Sequence, residues 1–300
     1  MTADSNSLHG GKTTIDRAQR LKAIALMCGA VTVFSVLDTL AKYLANQSGL
    51  PVTQIIWVRF SGNIILNLLM FGPVLFVAAL NTPHKLVHLV RSLFMAATTG
   101  LNFLALQYLQ LDQTVTVFFI APLIVAALGG PLLGEWIGWR RFGAIIIGFS
   151  GVLFITRPGF GGVHYAIIYS FGAALTYAIY SLSTRYVTRL EAPQLAQIMA
   201  PLAGFVIFAA PALTQWIWPA NLMIWVLLIL MGFIGGFGHW LLVLAHKSAP
   251  APILSPFTYV GLPSMIMLGW LIFDDLPTWW TLAGASIIIF AGGYLLWREK

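Results

Sequence analysis

Residues 23–45 read AIALMCGAVTVFSVLDTLAKYLA, twenty-three residues that carry two charges, Asp38 and Lys42. A helix rises about 1.5 Å per residue, so about 20 mostly apolar residues cross the hydrocarbon core of a bilayer. The run is too long for the core of a signal peptide and reads as a membrane span. The same ruler, moved outward, predicts nine more spans at 53–72, 87–107, 113–133, 140–156, 164–186, 194–213, 222–245, 251–272 and 279–297. A polar stretch with Pro83, His84, Lys85 and His88 opens the third, and a break at Arg157, Pro158 and Gly159 precedes the sixth. Connections are short, so neighbouring helices are expected side by side.

Backbone groups in lipid must be satisfied within their own segment, so these spans are helices. The alternating strands of about ten residues that build an outer-membrane barrel are missing. The fold class is therefore all-α, a polytopic membrane protein with ten transmembrane helices. Composition agrees. The 300-residue chain is 59% hydrophobic and 8% charged, against about 25% charged in an ordinary soluble domain. Such a chain cannot clothe a water-facing surface, which excludes a soluble enzyme, a disordered protein and a secreted disulfide scaffold. The single cysteine, Cys28, forms no intramolecular disulfide and reads as packing.

The net charge of +7 is spread over short loops, which argues against a nucleic-acid partner and for an orientation. With the N-terminus inside, the inner face holds Lys12, Arg17, Arg20, Lys22, Lys85, Arg91, Arg140, Arg141, Arg185, Arg189, Lys247, Arg298 and Lys300. The outer face holds Lys42 and Arg157. Both termini are expected in the cytoplasm, residues 1–21 as a polar tail, and Asp274 and Asp275 outside. Tryptophans at span ends, among them Trp136, Trp139, Trp216, Trp218, Trp279, Trp280 and Trp297, suit the interface.

The chain repeats itself at an offset of about 140 residues. Gly29-Ala30 precedes Lys42-Tyr43 at the spacing by which Gly172-Ala173 precedes Arg185-Tyr186. Leu128-Gly129 leads to Glu135 as Leu268-Gly269 leads to Asp275, and Gly143 and Gly151 stand eight apart like Gly284 and Gly292. Each half, 22–157 and 158–300, holds five spans. Five is odd, so the second half enters the membrane with opposite polarity. Inverted repeats suit alternating access, because two copies of one packing can exchange conformations around a central site.

Several short motifs, in order, resemble the drug/metabolite transporter superfamily in its ten-helix EamA-type branch. They are Arg59-Phe60; Ala121-Pro122 followed by Leu-Gly and Glu135; Gly238-His239; Ser255-Pro256-Phe257-Thr258-Tyr259; Phe273-Asp274-Asp275-Leu276-Pro277; and Gly292-Gly293-Tyr294 before Arg298-Glu299. The resemblance covers about 22–299 and is closest to the amino-acid and metabolite exporters of that branch. It implies a cavity walled by the first, third, fourth, sixth, eighth and ninth helices, with the fifth and tenth peripheral.

Polar groups inside a membrane are costly and therefore candidates for function. Asp38 and Arg59 are the two full charges expected well inside spans, at similar depth. They are expected to pair, or Asp38 to pair with Lys42 one turn on, either as a structural ion pair or with Asp38 as a proton-coupling or substrate group. Arg59, Asn63 and Asn67 form one stripe, read as interhelical hydrogen bonding. Thr32, Ser35, Asp38 and Thr39 form another, as do Tyr177, Tyr180, Ser181 and Thr184; with Thr98, Thr99 and Asn102 these suit a wet wall or, alternatively, backbone-bonded hydroxyls. Gly232, Gly235, Gly236 and Gly238 lead to His239 and Trp240 and read as close packing. Pro252, Pro256 and Pro263 flank Tyr259 as a kink or a hinge. Gly143, Gly148, Gly151, Gly284, Gly292 and Gly293 read as packing. The substrate-cavity candidates are Ser35, Asp38, Thr98, Asn102, Tyr177, Tyr180, Ser181, His239, Trp240 and Tyr259.

No metal-ligand or catalytic motif occurs, and Gly11-Lys12-Thr13 lacks the earlier glycine of a phosphate loop. The expected function is therefore non-enzymatic and needs no cofactor. The chain reads as a bacterial inner-membrane carrier exporting neutral or aromatic amino acids or similar small metabolites, with or without proton coupling, as a monomer or weak dimer. The alternatives are a sugar-phosphate or nucleotide-sugar exchanger of the same fold, a channel, or an intramembrane enzyme.

Overall fold

A computed structural model describes residues 17–109, 114, 117–156, 165–274 and 278–299. Residues 1–16 of the expected tail, Arg157 at the expected boundary between halves, and Asp275 lie outside them. Among the described residues the regular structure is helical. The helices are α1 (Arg17–Gln47), α2 (Val52–Leu80), α3 (Lys85–Tyr108), α4 (Ala121–Leu133), α5 (Trp139–Thr156) and α6 (Ile167–Leu190). They continue as α7 (Pro193–Met199), α8 (Leu202–Thr214), α9 (Leu222–Ser248), α10 (Ala251–Leu254), a 3-10 turn at Ser255–Val260, α11 (Gly261–Phe273) and α12 (Trp279–Glu299). Six segments are long and apolar enough to cross a membrane: α1, α2, α3, α7 with α8, α9, and Ala251–Phe273. The other four expected spans are helical where described, but α4 is shorter and the rest are more polar or include residues outside the description.

Two boundaries differ from the sequence reading. The second helix continues past 72 to Leu80, across a kink where Gly72 takes φ 75° and Pro73 starts a new segment. Proline stops an incoming helix but is preorganised for the first turn of the next, so a stop signal here is also a start signal. The ninth expected span is not one helix. Pro252 and Pro256 remove backbone donors, and the chain tightens into 3-10 geometry before α11.

The core is a bundle of α1, α2, α3, α6 and α9. α1 packs chiefly on α9, and α3 on α6. α9 also crosses α2 at a glycine seam: a Cβ on Gly62 would lie 2.8 Å from the Gly232 Cα, and one on Gly232 would lie 2.7 Å from the Gly62 Cα. Missing side chains at both positions let the backbones meet, as the close-packing reading of this glycine cluster expects. α5 and α12 pack mainly on each other, to one side. Their glycines are less uniform than expected: Gly148 lies against the Tyr259 ring, whereas a Cβ on Gly143 or Gly293 would meet nothing within 4 Å among the described residues. On a lipid-facing helix, small residues need not mark a protein contact.

Candidate functional site

At the centre of the bundle lies a cavity of about 100 Å³, space for several water molecules. α1 contributes Phe34, Ser35 and Asp38; α3 contributes Thr98, Thr99, Asn102 and Phe103; α6 contributes Tyr177 and Tyr180. α9 adds His239, and the turn and helix after it add Thr258, Gly261 and Met265. Phe118 and Phe119, just before α4, close one side. α2 joins the wall through Arg59, which the family resemblance did not anticipate. None of the described residues of α5 and α12 lines the cavity.

Seven of the ten expected cavity residues line this space: Ser35, Asp38, Thr98, Asn102, Tyr177, Tyr180 and His239. Three do not. Ser181 sits one position round the helix from Tyr180 and bonds Nε2 of His246 at 2.7 Å, toward the bundle end. Trp240 turns away from His239 and packs edge-on against Phe71, centroids 5.1 Å apart. Tyr259 is held behind the wall, where its hydroxyl donates to the Phe119 carbonyl at 3.3 Å and its ring meets that of Phe119. Helical neighbours diverge by about 100°, so a polar stripe is only as wide as the groove it faces.

Among the described residues Asp38 forms neither of the two expected ion pairs. Asp38 and Arg59 face the same cavity without coming within the 4.0 Å of an ion pair. Asp38 Oδ1 accepts from Asn102 Nδ2 at 3.0 Å. Arg59 donates through Nη1 to Thr99 Oγ1 at 2.8 Å, and its Nη2 lies 3.1 Å from His239 Nε2. Lys42 lies over the Phe273 ring, 4.8 Å from its centroid. The buried Asn63–Asn67 stripe behaves as expected. Gln197 Nε2 donates to Asn63 and Asn67 Oδ1 and to the Gly236 carbonyl, tying α7 to α2 and α9.

A further buried charge escaped the sequence reading, which assigned Arg91 to the inner face. Arg91 is fully buried in α3. Its guanidinium donates to Thr184 Oγ1 at 2.8 Å, the Ala196 carbonyl at 2.6 Å and the Tyr180 hydroxyl at 3.1 Å. The Tyr180 hydroxyl also meets His239 Nδ1 at 3.1 Å. Arg91, Tyr180, His239 and Arg59 thus form one hydrogen-bonded line from the bundle interior to the cavity wall. A guanidinium always donates, so His239 Nε2 must accept from Arg59, which puts the imidazole hydrogen on Nδ1. That Nδ1–H and Arg91 both donate to the Tyr180 oxygen. The tyrosine's own O–H is then the donor left over.

Beyond this line, two carboxylates tie helix ends together. Gly134 adopts φ 68° at the end of α4 and turns the chain so that Glu135 lies over the helix terminus. Glu135 accepts from Arg185 Nε at 2.7 Å, from Arg189, and from the backbone N–H of Ala251 at 2.8 Å. Glu191, just beyond α6, bonds His84 Nδ1 and His88 Nε2, each at 2.7 Å, and the Thr82 hydroxyl. Burial raises the Glu191 pKa, but the bonds from Thr82, His88 and His84 outweigh it and hold the carboxyl down at about 2. Among the described residues no cluster of three or more His, Cys, Asp or Glu is placed to hold a metal ion.

A helical bundle of membrane-crossing length around a partly polar cavity defines a polytopic membrane protein of the carrier type. The sequence profile of the EamA-like transporter family matches residues 21–157 and again 164–297, and the chain belongs to that family. It is a transporter of small metabolites, not an enzyme. It is 27% identical over 282 residues to a riboflavin transporter of Vibrio cholerae, covering 93% of this chain and 95% of the relative. It is 25% identical over 280 residues to an S-adenosylmethionine uptake transporter of Rickettsia prowazekii, covering 93% and 94%. It is 26% identical over 266 residues to the pseudopaline exporter CntI of Pseudomonas aeruginosa, covering 86% and 90%.

Proposed function

We propose that the chain is a ten-span carrier of the bacterial inner membrane that moves an aromatic small metabolite by alternating access. The observation that carries this is the cavity itself, which combines a ring-lined wall with Asp38 and Arg59 held apart. A ring-lined wall favours an aromatic solute. A sugar phosphate or nucleotide sugar needs several cations, and Arg59 is the one Lys or Arg among the described lining residues.

The packing supports two exchangeable halves. α1 against α9 has its counterpart in α6 against α3, and α1 against α11 in α6 against α4. This is the pattern expected if the two halves repeat, and a family profile that matches twice agrees with it; five spans in each half would give the copies opposite polarity. The Glu135 and Glu191 clusters gather the basic loops that the positive-inside rule assigns to the cytoplasm. In that orientation both termini are inside, and the resting molecule is closed toward the cytoplasm.

Relatives named for riboflavin and S-adenosylmethionine make a heterocyclic metabolite the first choice. An aromatic amino acid is the second, because the same two charges suit a zwitterion. Liposomes containing the purified chain and loaded with riboflavin, tryptophan or a non-aromatic amino acid test the reading. Counterflow of an aromatic solute, saturable and lost with Arg59→Gln, is expected. Counterflow confined to non-aromatic solutes, or single-channel currents, would overturn it. Repeating the assay from pH 6 to pH 8, with and without a pH gradient, decides proton coupling.

A further inference from the structure

We infer that the solute is a flat aromatic molecule of zero net charge whose donor group meets Asp38 and whose acceptor group meets Arg59 and the Tyr180 hydroxyl. The inference rests on the carrier reading and narrows its substrate.

The polar atoms of the wall leave a specific set of positions open. Asn102 occupies Oδ1 of Asp38, and among the described residues nothing bonds Oδ2. That oxygen is an acceptor on the cavity wall. Thr99 and His239 each take one bond from the Arg59 guanidinium, whose five N–H groups exceed these partners. The Tyr180 oxygen already accepts from Arg91 and from His239, so its O–H is available to donate. The cavity therefore offers one acceptor pole and one donor pole.

The same geometry fixes the charge. Asp38 and Arg59 are opposite in sign, share the space and do not neutralise each other by contact. Charges held apart in a medium of low dielectric attract whatever completes the circuit between them. A solute with a net charge would leave an excess charge in that medium; a solute with two opposed poles and no net charge would not. Phe34, Phe103, Phe118, Phe119 and Tyr177 supply faces for a ring. Two kinds of molecule share this chemistry: a neutral heterocycle with an imide or amide edge, and an aromatic zwitterion with an ammonium and a carboxylate.

Matched ligands separate the claim from its sources. Riboflavin and its 5′-phosphate carry the same ring and differ by the phosphate charge. Tryptophan, tryptamine and indole-3-propionate carry one ring with both charges, the ammonium alone and the carboxylate alone. Binding to the purified full-length chain in nanodiscs is read by flavin fluorescence quenching or calorimetry. The wild type is expected to prefer the net-neutral member of one set at least tenfold. A heterocycle source shows this with the flavins, and a zwitterion source with the indoles.

Asp38→Asn removes the negative pole. It is expected to shrink the preference for riboflavin over its phosphate, or for tryptophan over indole-3-propionate, to within about threefold. Arg59→Gln is expected to do the same for tryptophan over tryptamine. Asp38→Glu and Arg59→Lys keep the signs and should keep the preferences. A wild type that favours a charged member, or variants that bind with unchanged ratios, overturns the inference and leaves the carrier reading standing. The ratios of the wild type alone decide if a variant fails to fold. A chain that exchanges only non-aromatic solutes overturns both, and one that carries another aromatic solute but binds neither net-neutral probe overturns this inference alone.

Discussion

Gly62 and Gly232 face each other across α2 and α9 so closely that a methyl on either would fall within 3 Å of the partner's Cα. The obstacle is backbone on both sides, so no side chain can swing aside. Gly62→Ala or Gly232→Ala must therefore push the two helices apart, at a cost of about 1–3 kcal/mol. Gly143→Ala and Gly293→Ala, whose Cβ would meet no described atom within 4 Å, should cause no loss and could gain up to about 1 kcal/mol of helix propensity. Thermal unfolding of the four variants in one detergent checks this. Equal losses in both pairs would mean that the α2–α9 seam is looser than the geometry indicates.

His239 is the link between Arg59 and Tyr180, so its loss should be felt at two residues. His239→Ala leaves the Arg59 Nη2 and the Tyr180 hydroxyl each short of a buried partner. An unsatisfied buried polar group costs about 1–3 kcal/mol. Transport should fall at least tenfold, and the melting temperature should drop with it. His239→Gln, which can still accept at one atom and donate at another, should recover part of both. Counterflow alongside a melting curve separates the outcomes, and full activity in the alanine variant would remove His239 from the site.

The helical spans and the polar stripes were legible because membrane length and helical period are local properties. The helical period put Asp38, Tyr177 and Tyr180 on polar stripes, but left open a cavity wall or a dry contact, and it put Ser181 on the same stripe although Ser181 bonds His246. Partners across the bundle could not. Arg59 and Asp38 lie at similar depth, which suggested a direct pair, but depth says nothing of azimuth, and Asn102 and Thr99 intervene. Arg91 stands six residues into its helix, near enough to the end to read as a loop charge. Only the fold reveals that Thr184, Tyr180 and the Ala196 carbonyl receive it. The one signal available was its spacing from His88: three residues put both on one face, as if lining an interior.

Glu191 gives the fold a pH dependence with a defined sign. Its carboxyl has a folded pKa of about 2, against an ordinary value of 4.5. A depressed carboxylate stabilises the folded chain fully above its unfolded pKa, and that contribution is lost as pH falls through the folded value. The wild type should therefore melt higher than Glu191→Gln at pH 6 and above. The gap should narrow below about pH 4.5 and close near pH 2. Melting curves across that range provide the measurement. A gap that stays constant down to pH 2 would show that Thr82, His84 and His88 do not hold the ionised form.

Glu135 is expected to hold its end of the bundle together, the end that the proposed orientation places in the cytoplasm. It joins the end of α4 to the last turn of α6, through Arg185 and Arg189, and to the start of α10, through the Ala251 N–H. Glu135→Ala strands the Arg185 guanidinium, which is largely buried and keeps only carbonyl partners, His246 and Lys247. Removing one member of a buried pair costs on the order of 3 kcal/mol, so this end should part more often. Ala249, fully buried at the junction of α9 and α10, offers a place to see it. In a Cys28→Ser background, Ala249→Cys should react with a thiol reagent applied from the inner face several times faster when Glu135→Ala is also present. Unchanged labelling with a lowered melting temperature would make Glu135 a helix-end clamp without a part in opening. Faster labelling that an added aromatic solute suppresses would tie this end to the cavity, as expected if a solute at the proposed site holds Tyr180, Arg91 and Thr184 joined.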